Sequence, residues 1–493
     1  MKHEKLYDAL NQIRDTHIAE AAAPRKRHFP WMRAVAAVTA VAILGVGLWK
    51  LWPDQKSSLA QVYTPTESKP PVSIPSGIHV SYLAAEPVYP QVVAYPLDDD
   101  RDFAEWQKWD DCQEMLHDQP KGYADSLDGY FTKLVPTLLT GADGQNAVCS
   151  PVNIYMALAM LAETTDGTSR EQILSLLCAE NIESLRQQAE NVWMGHYNDD
   201  GLTTSILGNS LWLDEECSYN RDTAQLLAEK YYASVFHGDL GSEEMDRALQ
   251  SWLNRQTGGL LDETIRNVEM DPRTVLALAS TVYYQASWVS KFTEGNNTQG
   301  IFHGAAGEQE VTYMKKTLSF GPYYWGEDFG AVSLHLEGGD QMWLILPDEG
   351  LTPEDLLESG KAMECILDDP YEYPDKKDVR VHLTVPKFDV EANMELKEQL
   401  QKLGITHVFD GEKADFSPII PVDDDGYVSG VQHAARVSVD EEGVTAAAFT
   451  LIQRAGAGVP PEDEVDFTLD RPFLFVIESN DGLPLFTGIV NQP

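Results

Sequence analysis

Cysteine is scarce in this 493-residue chain, which holds only Cys112, Cys149, Cys178, Cys217 and Cys365. No two stand at C-x-x-C spacing and none has a histidine at metal-ligand spacing, which argues against a structural zinc site. An odd number spread from Cys112 to Cys365 is no disulfide framework either. Positive charge is also short: 36 Lys and Arg face 78 Asp and Glu, for a net charge of −42. A body so acidic repels nucleic acid and anionic lipid surfaces, so both are poor partners. Catalytic signatures are missing as well. The chain has no G-x-S-x-G elbow, no H-E-x-x-H, no phosphate-binding G-x-x-x-x-G-K-[ST] loop and no G-x-G-x-x-G. Each of the twelve histidines reads as a surface or structural residue rather than a catalyst. Nothing implies a metal or a cofactor, and no internal repeat is present.

Long apolar runs are almost absent too. The exception is "WMRAVAAVTAVAILGVGLWKLW", Trp31 to Trp52, uncharged from Ala34 to Trp49. With Arg33 and Lys50 snorkelling, it approaches the ~20 residues that a bilayer requires. Residues 1–50 carry eight Lys or Arg against four Asp or Glu, which leaves about −46 on the remainder. The positive-inside rule then makes residues 1–30 a cytoplasmic tail and 31–52 an uncleaved signal anchor. The expectation is a single-pass protein of the cell membrane, bacterial in style, with its body outside the cytoplasm. Cleavage near Ser58–Ala60 would instead make it secreted. Eight prolines between Pro53 and Pro96 mark an extended spacer. The acidic "DDDRDFAEWQKWDDCQEML" follows, so that 53–120 reads as a linker and 121–493 as the folded domain.

Within 121–493 the texture changes along the chain. "YADSLDGYFTKLVPTLL" and "SPVNIYMALAMLAETT" carry apolar residues at helical spacing. "AVSLHLEGGDQMWLILP", "VRVHLTVPKF" and "RPFLFVIES" are β-branched and aromatic, bounded by Gly, Pro and Asp. Helices early and strands late are the pattern of an α+β domain with antiparallel sheets.

One segment fits neither texture. "EEGVTAAAFTLIQRAGAGVPPEDE", Glu441 to Glu464, is a strand-length run of small side chains. Local propensity allows a helix from Val444 to Arg454. As a strand, period-2 alternation would put Val444, Ala446, Ala448, Thr450 and Ile452 on one face and Thr445, Ala447, Phe449 and Gln453 on the other.

Six stretches in order make the domain resemble the serpin family. They are "NAVCSPVNIYMALAM", "LNRQTGGLLDETI", "STVYYQASWVSKF", "VPKFDVEANMELKEQLQKLGITHVFDGEKADFSPI", "VQHAARVSVDEEGVTAAAFT" and "DRPFLFVIESNDGLPLFTGIVNQP". The resemblance implies three β-sheets, eight to nine helices and an exposed reactive loop. It implies a monomeric suicide inhibitor rather than an enzyme, trapping a serine protease as a covalent 1:1 complex. Glu441, Glu442, Gly443, Val444, Thr445, Ala446, Ala447 and Ala448 fall at the family's hinge. Gly443 is expected to supply strained dihedrals where the loop turns into the sheet. Family spacing puts the bait bond at Ala457–Gly458, which favours an elastase-like target. Arg454 is the alternative and would recruit a trypsin-like enzyme. At the position where the family's sheet parts, the helix reads Ser150–Pro151–Val152–Asn153 and the strand has Ser280. Amide and hydroxyl have traded places relative to the usual family pattern, giving an expected network of Ser150, Asn153, Ser280 and His433. Trp288 matches the tryptophan carried by the family's strand and is grouped with these residues. Val444 stands where inhibitory members usually have Thr or Ser. A carrier or binding protein on the same fold is the alternative function.

Overall fold

The computed structural model describes residues 82–96, 103–141, 144–259, 266, 268–270, 274–367, 373–421, 427–428, 430–444 and 463–493. Two compact units divide the chain at Lys69 and Pro70, and every described residue lies in the second. In chain order the elements are β1 (Leu83–Ala85), α1 (Phe103–His117), α2 (Asp128–Leu139), β2 (Ala147–Cys149), α3 (Pro151–Thr164), α4 (Gly167–Leu176) and α5 (Ile182–His196). There follow β3 (Asn198–Asp199), β4 (Thr203–Asp214), α6 (Arg221–Lys230), β5 (Ala233–Gly238), α7 (Glu243–Gln256), β6 (Leu276–Ser287), β7 (Thr298–Gly304) and β8 (Gly307–Trp325). The last part holds β9 (Phe329–His335), β10 (Gln341–Pro347), α8 (Pro353–Ser359), α9 (Lys361–Leu367), β11 (Lys376–Pro386), β12 (Phe388–Glu395), α10 (Lys397–Lys402) and β13 (Gln432–Val439). It closes with β14 (Gly443–Val444), β15 (Glu464–Thr468), β16 (Phe473–Glu478) and β17 (Pro484–Val490).

The α+β class holds, with ten α-helices among the described residues where eight or nine were expected. Hydrogen-bonded pairing gives two sheets there rather than three. One sheet runs β1-β5-β4-β6-β14-β13-β12, with β3 on β4. The other runs β15-β11-β8-β9-β10-β16-β17-β2, with β7 on β8. The physical reason for the count is β8, 19 residues long. It pairs with β7 at its start, with β11 along most of its length and with β9 at its end, and so fuses two expected sheets into one.

Local chemistry explains the helix that matters most for the site. Pro151 at the first turn has no N–H to satisfy, and Ser150 caps the helix by accepting from the Asn153 N–H. Nearly every side chain of α3 is buried, so it is apolar all round rather than amphipathic. Its C-terminal end is tied down by a buried acid. Arg186 on α5 grips Glu163 in a fork, Nη2 to Oε1 at 2.7 Å and Nε to Oε2 at 3.1 Å. The Tyr231 hydroxyl donates to the same carboxylate at 2.9 Å. A second apolar cluster joins the sheets: Ala435, Val437, Val439 and Val444 pack with Leu334, Leu344, Phe473 and Phe475.

Two N-terminal readings meet the structure here. In the stretch read as linker, β1 adds an edge strand to β5 and Tyr89 stacks on Trp193 at 5.3 Å. The acidic, tryptophan-containing run forms α1. The single-pass membrane placement needs correction. Among the described residues no helix is long and apolar enough to cross a membrane. The most apolar of them, α3, has 14 residues, against the ~20 that a bilayer requires. Residues 1–30, the 31–52 run and the spacer up to 81 lie outside the described residues.

Replacing Arg186 by Met would leave the Glu163 carboxylate buried with only the Tyr231 hydroxyl. The expected cost is about 2–3 kcal/mol, allowing for the partial exposure of the arginine, read as a lower urea midpoint. An unchanged midpoint would show that the fork does not hold α3 in place.

Candidate functional site

The site is a turn, a two-residue strand and the gap beside it. β14 is antiparallel to both neighbours, with Gly443 opposite Ser287, and Val444 opposite Ala286 on one side and Val439 on the other. β6 and β13 therefore run parallel to each other. Beyond β14, at residues 276–285 and 432–438, no ladder pairing joins them among the described residues. The edges of β6 and β13 flank the line along which β14 would continue.

Gly443 is required there, but for a different reason than expected. It is not one of the glycines with positive φ, so strained dihedrals play no part. A Cβ at this position would lie 2.2 Å from the Ala286 carbonyl oxygen and 2.7 Å from the Ser287 Cα. Only glycine lets the turn approach β6 backbone to backbone. Val444 is 1% exposed and packs into the apolar cluster between the sheets, on the face that the alternation assigns to it.

The turn before the strand is heavily tied. Asp440 accepts from the Glu442 N–H at 2.8 Å and the Gly443 N–H at 3.3 Å. Trp288 donates its indole N–H to the Asp440 carbonyl at 2.8 Å and its backbone N–H to the Glu442 carbonyl at 2.9 Å. The two glutamates reach opposite sides of the gap. Glu442 pairs with Lys291, just beyond β6, at 2.6 Å, and Glu441 with Lys387, just before β12, at 2.6 Å. Burial alone would raise the Glu441 carboxyl, but Lys387 and the Asn297 amide outweigh it and hold it below the usual range. Burial pushes Lys316 down to about 8. Its ammonium lies 4.7 Å from the centre of the Phe292 ring, a cation–π contact under the turn.

Lower in the gap the four expected residues come together. The Ser150 N–H donates to His433 Nε2 at 3.0 Å, and Ser150 Oγ caps Asn153 at 3.3 Å. Ser280 on β6 meets the Asn153 side chain and, at 2.9 Å, Asn209 Oδ1. Asn209, fully buried on β4, was not foreseen. A polar residue inside the apolar run "SILGNSLWL" was its only signal. The donor assignment follows by elimination. Asn209 gives its amide N–H to the Tyr231 carbonyl at 2.9 Å, so its oxygen takes the single hydroxyl proton of Ser280. Asn153 must then turn its NH₂ toward Ser280.

Of the other expected residues, Thr445, Ala446, Ala447, Ala448, Arg454, Ala457 and Gly458 lie outside the described residues. The chain returns at β15, parallel to β11, with Glu464 opposite Arg380. Arg380 and His382 both pair with Glu464, and Lys377 pairs with Asp463.

Comparison with known proteins agrees with this geometry. A family model described as "Serpin (serine protease inhibitor)" matches residues 129–493. Serpin-ZX of Arabidopsis thaliana is 29% identical over 374 residues, covering 72% of this chain and 94% of the relative. The crystal structure of tengpin, a thermophilic serpin, in its native state covers 82% of this chain and 98% of its own, with a TM-score of 0.66 and 24% identity. Thyroxine-binding globulin complexed with thyroxine covers 76% and 100%, with a TM-score of 0.62 and 20% identity. At that identity the two structures speak for the fold alone. The Arabidopsis relative matches 72% of this chain, the family model begins only at residue 129, and no described helix could cross a membrane. Placement in the cell membrane through 31–52 is therefore withdrawn.

Burial pushes His433 down to about 4, and its Nε2 must stay unprotonated to accept from Ser150. The stability it contributes is present above pH 6.5 and is lost as pH falls toward 4, by roughly 3 kcal/mol. The melting temperature should drop across that window. His433→Gln, whose amide oxygen still accepts from Ser150, should flatten the drop. An equally steep fall in the variant would assign the acid sensitivity elsewhere.

Proposed function

The chain belongs to the serpin family, and from that membership we propose that it inhibits a serine protease as a suicide substrate. As a class these proteins are protease inhibitors rather than enzymes. Carrying the reading for this chain is the seating of Gly443–Val444 between β6 and β13, two strands that no ladder joins directly beyond it among the described residues. The attacking serine forms an acyl-enzyme on the loop. The freed N-terminal part then continues the β14 strand into the gap before water cleaves the ester. About 15 residues at ~3.3 Å each carry the attached protease ~50 Å. Strain released from a metastable fold drives the step.

The inhibitory body is residues 121–493, with the hinge at 441–448 and the bait bond at Ala457–Gly458. A small residue ahead of the bond suits a shallow primary pocket, hence an elastase-like protease. Arg454 would instead present a trypsin-like enzyme with a loop three residues shorter. Buried Val444 supports insertion, since its side chain already occupies the inner face where the family more often has a hydroxyl. Ser150, Asn153, Ser280, Asn209 and His433 latch the gap, and Trp288 seats the turn above it.

The test mixes the full chain with an elastase-like serine protease on a denaturing gel and reads the cut by mass spectrometry. A detergent-stable band at the summed mass, with cleavage after Ala457, is expected. Clean cleavage without that band would make the chain a substrate and favour a binding or carrier role. A stable band formed only with trypsin would move the bait to Arg454. Asn153→Ala should release the latch and promote polymers or premature insertion on mild heating. An unchanged thermal transition without polymers would remove the network from the mechanism.

A further inference from the structure

Helices α1 and α5 are both 15 residues long, and each ends in a histidine. The rings are held alike. His117 Nδ1 lies 3.0 Å from the Gln113 carbonyl oxygen and His196 Nδ1 lies 2.6 Å from that of Val192, each four residues back. With Nδ1–H donating, each ring points an Nε2 lone pair away from its own helix. His196 is buried, and its Nε2 meets no hydrogen-bond partner among the described residues. The two helices pack on each other, and the two histidines feel each other's charge.

The groups around the pair are few. From the turn between β16 and β17 comes Asp481, whose Oδ2 accepts the Tyr123 hydroxyl at 2.8 Å. From the turn before β4 comes Asp200, whose Oδ2 accepts the Trp109 indole N–H at 2.9 Å and the Gln113 amide at 3.4 Å. Both carboxylates favour a charged imidazole. Burial opposes it and is the larger effect, so both histidines are lowered from their ordinary value. For His196, a charge on His117 adds to the cost.

We propose that the junction of α1 with α5 is an acid-released clasp for the N-terminal strap, residues 82–96 and 103–117. Neutral imidazoles let the two helix ends close together. Protonation places two like charges at one packed helix junction, with only carboxylates already engaged as acceptors to balance them. Asp200 ties the rest of the strap to the same event. Its carbonyl accepts the Tyr95 N–H at 2.8 Å, and its Oδ1 accepts the Leu202 and Thr203 N–H groups, both at 2.9 Å, where β4 begins. When α1 lifts, Asp200 loses Trp109 and Gln113, and residues 82–96 are left with the three residues of β1 on β5, the Tyr89 stack and the Tyr95 hydrogen bond. A hairpin-sized contact of that length is marginal in water. Because both histidines are lowered, the docking free energy is fully present above pH 6.5 and is lost as pH falls below it.

Hydrogen exchange on the full chain, read as protection factors corrected for intrinsic rates, tests this at pH 7.5 and 5.0. Peptides from 82–96 and 103–117 should lose protection at least ten-fold at the lower pH, while α3 keeps its own. In His117→Gln/His196→Gln the loss should shrink to two-fold or less, since glutamine donates to the same carbonyls without titrating. If the double variant does not fold, His117→Gln alone, at a half-buried position, should halve the logarithm of the loss. Equal protection of the strap at both pH values in the parent chain would overturn the clasp. So would an undiminished loss in either variant.

Discussion

Everything at the hinge depends on one backbone approach. Gly443 comes so close to Ala286 and Ser287 that a single methyl group would meet a carbonyl oxygen at 2.2 Å. That approach allows two residues to be hydrogen-bonded as a strand between β6 and β13. Once they are, the direction of any further strand is set, antiparallel to both neighbours and with Val444 on the inner face. The core between the sheets closes over Val444 together with Val437, Val439, Leu334 and Phe475. Burying a valine contributes about 1.5–3 kcal/mol, enough to hold these two residues as a strand between their neighbours.

The forces around this point differ in kind. Above it the turn is tied by Trp288, Asp440, Lys291 and Lys387, with ion pairs on both sides of the gap. Such partly exposed pairs are individually weak, so they set the turn's geometry more than its stability. Below it the contact between α3 and the flanking strands is polar. A core filled with leucine would also seal the helix to the sheet, but without direction. Hydroxyl and amide groups exchange partners at little net cost when satisfied and at a high cost when left unpaired. A satisfied network is therefore a closed state that can be left only as a unit. His433 takes part as a neutral acceptor, which makes the network acid-sensitive. The fork of Arg186 on Glu163 serves it from a distance by fixing the far end of α3.

The strap obeys the same logic on the outer edge of the first sheet. β1 covers the edge of β5, and Tyr89 lies flat on Trp193, with Tyr197 and Tyr232 stacked beside it. Covering an edge strand removes a template for unwanted pairing. Asp200 links this cover to the first residues of β4, whose Thr203 lies opposite Ala286, itself the partner of Val444. Strap, strand and hinge thus share one sheet, with β5 between β1 and β4 and β6 between β4 and β14.

Much of this was legible in the chain itself. Apolar spacing and β-branched runs carry the α+β class, because burial imposes a period on any element. The family resemblance, rather than composition, implied the Ser150–Asn153–Ser280–His433 grouping through exchanged hydroxyl and amide positions, and the described contacts bring those four together. Other features depend on what lies across the fold. Whether Gly443 serves a dihedral or a close contact depends on the β6 backbone, some 150 residues away in sequence. Asn209 gains its role only from the register that sets β4 beside β6. The strap reads as a spacer because proline composition reports local stiffness, whereas its docking rests on three rings and one aspartate supplied by distant segments. Local pattern determined which stretches would be helix, strand or loop. Long-range register and burial alone decided which polar atoms would meet.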